Sequence, residues 1–251
     1  MNNEMRITVL PEGPYMVSGS VPLVVMAIVR NAQREAVGWK QLKELPLQET
    51  YALCRCGHSK NKPFCDGAHV AAGFTGTETA TNEPFDQGAE RIEGEGVTLY
   101  DNQKFCVGAE FCDRLGGIWN LVRVTEETSG AANSEEATEF VQEAQKAATE
   151  QACHCPSGRL VMHKRLADGT DLVIEPEYET PSIALIEDPG YGLSGALWIR
   201  GGIPVYGANG NPYEVRNRMT LCRCGASRNK PFCDGGHYAI KFIDELNLKK
   251  G

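Results

Sequence analysis

The chain contains one sixteen-residue cysteine motif twice, at residues 54–69 and 222–237. Thirteen of the sixteen positions are identical when Cys54 is aligned with Cys222, and each copy holds three cysteines and one terminal histidine. Isolated buried cysteines behave as small apolar residues, and they would be scattered singly along the chain. Six of the ten cysteines fall inside the two copies instead. We therefore expect a duplicated unit that is built around thiolate and imidazole ligands.

The duplication extends to the N-terminal side of each motif. When Ile7 is aligned with Ile183, identical residues also coincide at Tyr15/Tyr191, Ser18/Ser194, Gly19/Gly195, Val29/Val205 and Ala32/Ala208. This alignment and that of the motifs differ in register by eight positions, which places an insertion in the first copy, between residues 35 and 48. Short apolar runs broken by Gly and Pro precede each motif, and such runs predict strands. Two copies are too few for a solenoid but suit a two-fold pair.

The spacing of the four donors restricts the metal that they can hold. Cys54 and Cys56 flank a single residue, whereas Cys65 and His69 are four residues apart and share one face of a helical turn. Three thiolates and one neutral imidazole suit either a tetrahedral zinc ion or a [2Fe–2S] cluster. Structural zinc sites usually place two to four residues between paired cysteines. The shorter spacing here favours iron–sulfur and leaves zinc as the alternative.

Both copies match the pattern Cys-x-Cys-x-x-Ser-x-x-x-Pro-x-Cys-Asp-Gly-x-His in full. This pattern resembles the CDGSH motif of the NEET iron–sulfur proteins. The resemblance implies two such units packed as a small β-rich cap over paired clusters. It also implies two [2Fe–2S] clusters, one held by Cys54, Cys56, Cys65 and His69 and the other by Cys222, Cys224, Cys233 and His237.

Two features of the motif bear on how such clusters would behave. The serine of the namesake motif is Ala68 in the first copy and Gly236 in the second, so a hydrogen bond from that hydroxyl is absent. Arg55 and Arg223 lie between the paired thiolates, and either could donate hydrogen bonds to cluster sulfurs. A metal-bound imidazole must be neutral, so we expect acid to weaken the histidine ligands.

The segment between the repeats has a different pattern. Residues 96–100 and 159–162 read as strands, and apolar residues recur at helical spacing from residue 140 to residue 148. This predicted helix leads to a second group of cysteines. A small α/β module is expected here.

Four cysteines of this middle segment are candidate ligands. Bacterial ferredoxins carry three cysteines at two-residue intervals and a later Cys-Pro pair. Cys106 and Cys112 match the outer two, Ala109 stands at the central position, and Cys155 precedes a proline. The segment resembles the divergent single-cluster ferredoxin-like domain that accompanies CDGSH repeats. Three cysteines would hold a [3Fe–4S] cluster, whereas Cys153 as the fourth ligand would complete a [4Fe–4S] cluster, and we favour the latter.

Taken together, these features predict an α+β, β-rich fold. Two NEET-like β-cap units would form a pseudo-two-fold pair around a small ferredoxin-like α/β module. The expected domains are residues 1–74, 75–182 and 183–251. We expect the two CDGSH units to pair within one chain, because both halves are already present.

The sequence shows no nucleophile paired with a base, no glycine-rich phosphate loop and no nicotinamide or flavin fingerprint. It therefore predicts an electron carrier that works with a redox partner protein, and no enzyme. The first alternative is cluster transfer to an apo-protein acceptor, or redox and pH sensing. The second is a module held together by zinc.

Charge and hydropathy restrict the partners and the compartment. A net charge of −8 opposes nucleic-acid binding, which needs a basic surface. The longest apolar run, residues 21–29, is shorter than the roughly 20 residues of a membrane span, and the N-terminus lacks a secretory pattern. We expect a cytoplasmic protein, since thiols stay reduced there.

Overall fold

The computed structural model describes residues 4–128 and 134–244. These residues form a β-rich α+β fold with three sheets. The strands are β1 (Arg6–Val9), β2 (Tyr15–Ser18), β3 (Leu23–Arg30), β4 (Ala36–Glu44), β5 (Thr50–Leu53), β6 (Glu90–Glu93), β7 (Val97–Asp101), β8 (Leu160–Arg165), β9 (Asp171–Ile174), β10 (Ser182–Asp188), β11 (Leu193–Arg200), β12 (Val205–Tyr206) and β13 (Arg218–Leu221). The helices are α1 (Ala68–Ala71), α2 (Ile118–Val122), α3 (Glu135–His154) and α4 (Gly236–Ala239).

Two of the sheets contain strands from both repeats. The first has the order β12-β1-β2-β5 and the second the order β13-β11-β10-β3-β4. In the first sheet β12 pairs in parallel with β1, with Val205 opposite Ile7. In the second sheet β3 pairs in parallel with β10, with Leu23 opposite Ile183. Each repeat thus contributes a strand to the sheet of the other.

The inner faces of these two sheets form one shared apolar core. Alternation along β1, β2 and β5 points every second residue inward, which is the period expected of half-buried strands. Burial of this apolar surface is the main force that holds the repeats together. The core includes Ile7, Tyr15, Val17, Leu53, Ile183, Leu185, Ile199, Val205 and Leu221.

The insertion in the first repeat forms most of β4. This strand pairs with β3 in an antiparallel arrangement and lies at the edge of the second sheet. Its side chains from Lys40 to Glu44 are exposed. The charged Lys40 and Lys43 protect this edge from pairing with another strand.

The middle segment forms the third sheet, with the antiparallel order β6-β7-β8-β9. The long helix α3 packs against it through Ala148 and Ala152. The Ser134 side chain caps the helix by accepting a hydrogen bond from the Ala137 N–H at 3.1 Å. The predicted helix is therefore confirmed, although Phe140 on its apolar pattern is 50% exposed.

In the part of the chain that the structure describes, no helix combines the length and the apolar character of a membrane span.

Candidate metal centres

The first CDGSH motif begins where β5 ends. It brings the four predicted ligands together as two pairs. The Sγ atoms of Cys54 and Cys56 are 3.7 Å apart. Cys65 precedes α1 and His69 lies within it, and Cys65 Sγ lies 3.5 Å from His69 Nδ1.

The second motif follows β13 and repeats this arrangement. The Sγ atoms of Cys222 and Cys224 are 3.7 Å apart, and Cys233 Sγ lies 3.4 Å from His237 Nδ1. His237 lies in α4, the counterpart of α1.

The distances within each pair fit two donors on one tetrahedral metal. With metal–sulfur bonds of about 2.3 Å and metal–nitrogen bonds of about 2.0 Å, two sulfurs would lie about 3.8 Å apart and a sulfur and a nitrogen about 3.5 Å apart. Each motif thus offers one Cys/Cys pair and one Cys/His pair. A two-iron cluster needs two protein donors on each iron, and this pairing matches that need. Among the described residues, no group of three or more His, Cys, Asp or Glu side chains converges as ligands of a single ion.

An aspartate within each motif fixes the loop that carries the donors. Asp66 accepts hydrogen bonds from the Lys60 N–H at 2.8 Å and from the Ala68 N–H at 3.0 Å. Asp66 thereby ties the start of α1 to the preceding loop. In the second copy Asp234 accepts equivalent bonds from Arg228 and Gly236 at 2.9 and 3.0 Å.

The contact between the two thiols of each Cys/Cys pair favours ionisation of the first cysteine, whereas this contact and burial raise the pKa of Cys56 and of Cys224. The contact with the Cys56 sulfur, helped by backbone N–H groups, lowers the pKa of the Cys54 thiol to about 6. The same contact with Cys224 lowers the pKa of Cys222 to about 6. Burial lowers the pKa of His237 to about 4, so its imidazole is neutral at pH 7. Thiolates and a neutral imidazole are the forms that bind metals.

The two motifs meet directly at their second cysteines. Cys56 and Cys224 form an isolated antiparallel bridge. Gly57 and Gly225 have φ angles of +80° and +81°, and a Cβ on either would lie 2.6 Å from the carbonyl oxygen of the cysteine opposite. Only glycine permits both the left-handed backbone and this close approach.

The motif arginines donate hydrogen bonds to backbone carbonyls and carboxylates, and not to the ligand sulfurs that the sequence suggested as acceptors. Arg55 donates hydrogen bonds to the carbonyls of Leu10, Gly13 and Gly76 at 2.8–3.0 Å. Arg223 donates to the Gly195 and Ile186 carbonyls and to two buried carboxylates. Arg55 therefore ties its motif to the β1–β2 turn and to Gly76, and Arg223 ties its motif to β10 and β11.

Three of the four candidate cysteines of the middle segment line one cavity. Cys106, Cys112 and Cys155 border it together with Arg159, Leu160 and residues 107–111. Burial, with the charge of Asp113, raises the pKa of the Cys112 thiol. A bound cationic centre would be needed to keep this thiol ionised at neutral pH.

Cys153 is not among the residues that border this cavity. Its thiol is influenced by Arg218 and Glu175, and burial raises its pKa. Arg218 in turn donates to the carbonyls of Ala152 and Cys155 at 3.0 and 2.8 Å. The structure thus brings three of the four middle cysteines together and places the fourth in different surroundings.

Arg159 connects the cavity to the third sheet. Its Nη1 donates to Cys106 Sγ at 3.1 Å, and its Nε and Nη2 bind both carboxylate oxygens of Asp101 at 2.6 and 2.8 Å. Trp119 Nε1 also donates to Asp101, at 2.9 Å. Sequence reasoning missed this pair, because nothing in the local pattern distinguishes a buried arginine from a surface one.

The cavity loop also covers the second CDGSH motif. A Cβ on Gly235 would lie 3.5 Å from the Cys106 carbonyl oxygen, and the Tyr238 hydroxyl donates to the Gly108 carbonyl at 2.8 Å. Cys233 and His237 are consequently 1% and 4% exposed. In the first motif Cys65 and His69 are only partly buried.

The matches to known families span all three groups of cysteines. Residues 12–70 and 194–238 match the family described as iron-binding zinc finger, CDGSH type, and residues 92–165 match the divergent 4Fe-4S mono-cluster family. No curated protein and no solved structure matches the chain.

The chain is an iron–sulfur-binding protein. It contains two regions of the CDGSH type, one on each side of a divergent 4Fe-4S mono-cluster domain. The order of modules predicted from the motifs is confirmed.

Proposed function

We propose that the protein carries electrons between redox partners. The observation that supports this proposal is the pairing of donors in each CDGSH motif, at 3.7 Å for the thiols and 3.4–3.5 Å for the Cys/His pairs. A [2Fe–2S] cluster supplies reversible one-electron chemistry when it is bound. The first would be held by Cys54, Cys56, Cys65 and His69, and the second by Cys222, Cys224, Cys233 and His237.

The remaining residues of each motif hold the donors rather than react. Backbone N–H groups of His58 and Gly67 point at Cys56 and Cys65 sulfurs at 3.4 Å. Hydrogen bonds to ligand sulfurs favour the more reduced state, because they stabilise negative charge there. The hydrogen bonds that Asp66 and Asp234 accept within these loops would limit rearrangement during electron exchange.

The middle site would bind a third cluster. We propose Cys106, Cys112 and Cys155 as its ligands, since these three border one cavity. Three cysteine ligands suit a [3Fe–4S] cluster, or a [4Fe–4S] cluster with one position open to another donor. Cys153 would take the fourth position only after a rearrangement of its side chain.

We also propose that the two CDGSH units pair within the chain about a pseudo-two-fold axis. The exchange of β3 and β12 between sheets and the Cys56–Cys224 bridge support this pairing. The domain limits 1–74, 75–182 and 183–251 remain predictions. All ten cysteines lack a disulfide partner, which suits the reducing cytoplasm.

A mixing experiment tests the proposed function. The anaerobically reduced protein is mixed with oxidised cytochrome c, and haem reduction is followed together with the iron retained by each partner. We expect each reduced site to lose one electron and each cytochrome to gain one, with the iron staying on the chain. No electron transfer, or transfer only after iron is released, would contradict the proposal.

The partial exposure of the first site favours cluster delivery as a second candidate. Val70, next to the ligand His69, is 78% exposed, and α1 has no buried residue. An apo-ferredoxin acceptor would therefore reach this site directly. The second candidate predicts that mixing with an apo-ferredoxin moves the visible spectrum and the iron to the acceptor, from the first site before the second.

A further inference from the structure

The two CDGSH motifs have identical donors, but the buried charges around their arginines differ. Arg223 is paired with Glu187, at 2.8 Å from Nη2 to Oε1, and with Asp244. Glu187 is 0% exposed and Asp244 is 6% exposed. Arg55 occupies the equivalent position in the first motif, and its hydrogen bonds go to backbone carbonyls instead.

This difference in buried charge follows from the amino-acid sequences of the two repeats. Glu187 corresponds to Pro11 in the alignment of the segments that precede the motifs, and Asp244 corresponds to Gly76 in the alignment of the motifs themselves. The hydrogen bond that Arg223 gives to Asp244 is replaced by one from Arg55 to the Gly76 carbonyl at 2.8 Å. The second repeat thus carries two buried carboxylates where the first has backbone alone.

The carboxylate that lies beside Gly76 in the first repeat is an exposed one. Glu12 accepts a hydrogen bond from the Gly76 N–H at 2.5 Å, but it is exposed to solvent. Water and salt screen such a charge far more than a buried one. In the described part of the chain, Arg55 takes part in no ion pair.

The charge of Arg223 reaches the second metal site. Arg223 lies between the ligands Cys222 and Cys224 in the chain and is buried beside them. Asp244 alone cancels the charge of Arg223, and Glu187 adds negative charge to the extent that it is ionised, because burial raises its pKa. The charge of Arg55 at the first site is therefore not balanced by a buried carboxylate, whereas the charge of Arg223 at the second site is.

Solvent exposure acts in the same direction. Reduction adds one negative charge, and a buried site solvates that charge less well. Cys233 and His237 are covered by the loop that holds Cys106, whereas Cys65 and His69 are in contact with solvent. Burial and buried carboxylates both disfavour reduction of the second site.

We propose that the two CDGSH centres have different reduction potentials, with the first site the higher. This inference rests on the proposed function, since it assumes a [2Fe–2S] cluster at each motif. In a chain that has received one electron for its two CDGSH sites, the electron then resides at the first site. Glu187 and Asp244, the carboxylates paired with Arg223, lower the reduction potential of the second site and so contribute to this difference.

An EPR-monitored redox titration of the full chain tests this inference. Dithionite supplies the electrons and is itself oxidised, and His69→Cys and His237→Cys assign each signal to its site. We expect two midpoints, with the first site favoured at least tenfold in electron partition, which is about 59 mV for a one-electron couple. Coincident midpoints, or a higher potential at the second site, would overturn the inference.

Two variants test the cause. Asp244→Asn keeps the shape and the hydrogen bond but removes the charge, and it should raise the midpoint of the second site alone. Glu187→Gln serves the same purpose if Asp244→Asn fails to fold. The matched control is Glu12→Gln, an exposed carboxylate near Arg55, which should move neither midpoint. An unchanged second midpoint in both buried variants would overturn the role of the carboxylates. A chain without two [2Fe–2S] signals would contradict the proposed function itself.

Discussion

Arg159 donates a hydrogen bond from Nη1 to the Sγ atom of Cys106 at 3.1 Å, and its Nε and Nη2 donate to the two carboxylate oxygens of Asp101. A sulfur of the middle site is thereby held by a buried cation. This cation belongs to the third sheet, because Arg159 directly precedes β8 and Asp101 ends β7. Arg159 therefore links the middle site to the third sheet through a hydrogen bond to Cys106 and an ion pair with Asp101.

Replacement of Arg159 by Gln should lower the midpoint potential of the middle cluster, because a positive charge and a sulfur hydrogen bond are lost. Asp101 would also lose its buried partner, and the free energy of unfolding should fall by about 3–5 kcal/mol. Redox titration and urea unfolding measure the two effects. Arg159→Lys retains the charge, so its midpoint potential and its free energy of unfolding should lie between those of the wild type and those of Arg159→Gln. If the Gln variant kept the wild-type midpoint, Arg159 would have no role at the cluster.

The roles of Cys153 and Cys155 should separate in iron analysis. Cys155 borders the cavity with Cys106 and Cys112, and Cys153 does not. Cys155→Ser should therefore remove most of the middle site's iron, whereas Cys153→Ser should leave the iron content and the EPR signal unchanged. Iron loss in Cys153→Ser equal to that in Cys155→Ser would restore the four-cysteine alternative.

The contact between the two CDGSH motifs should be intolerant of any side chain. Gly57→Ala places a Cβ about 2.6 Å from the Cys224 carbonyl oxygen, and it also strains a φ of +80°. Gly67→Ala is the matched control, since its φ is +85° but nothing lies within 4 Å of the added atom. The control should cost only the backbone penalty of about 1–2 kcal/mol. Thermal unfolding should show a larger loss for Gly57→Ala, and equal losses would argue against the tight contact.

A chelator should distinguish the two CDGSH sites by their exposure. Cys65 and His69 are partly exposed, whereas Cys233 and His237 are shielded by the loop around Gly108. Iron should therefore leave the first site several-fold faster, as followed by the decay of its EPR signal. Tyr238→Phe removes the hydrogen bond to the loop and should speed loss from the second site alone. Equal rates in the wild type would contradict the shielding.

Most of the local structure around the motifs followed from the sequence. Strands are found in the apolar runs before each motif and near residues 96–100 and 159–162, as predicted, because strand alternation and turn residues are short-range signals. The prediction of a helical turn from Cys65 to His69 is wrong, because α1 begins only at Ala68, and the left-handed Gly67 before it brings the two ligands together.

Long-range features were not accessible from the pattern. The exchange of β3 and β12 between sheets depends on pairing between residues that are far apart in the chain, such as Ile7 and Val205, and a strand's sequence does not specify its neighbour. The positions of Asp101 and Glu187 are similar cases, because a buried ion pair looks like surface charge in sequence. Comparison of the two repeats at Gly76 and Asp244 could have indicated the difference, since an acidic residue there departs from its counterpart.

The central claim is that each CDGSH motif holds a [2Fe–2S] cluster through three cysteines and one histidine. Iron, acid-labile sulfide and zinc per chain, measured on an anaerobic preparation with EPR before and after reduction, test it most directly. About four irons should belong to the two CDGSH sites, with a total of about seven or eight when a [3Fe–4S] or [4Fe–4S] cluster fills the middle site. A colourless preparation with stoichiometric zinc and no sulfide would contradict the account.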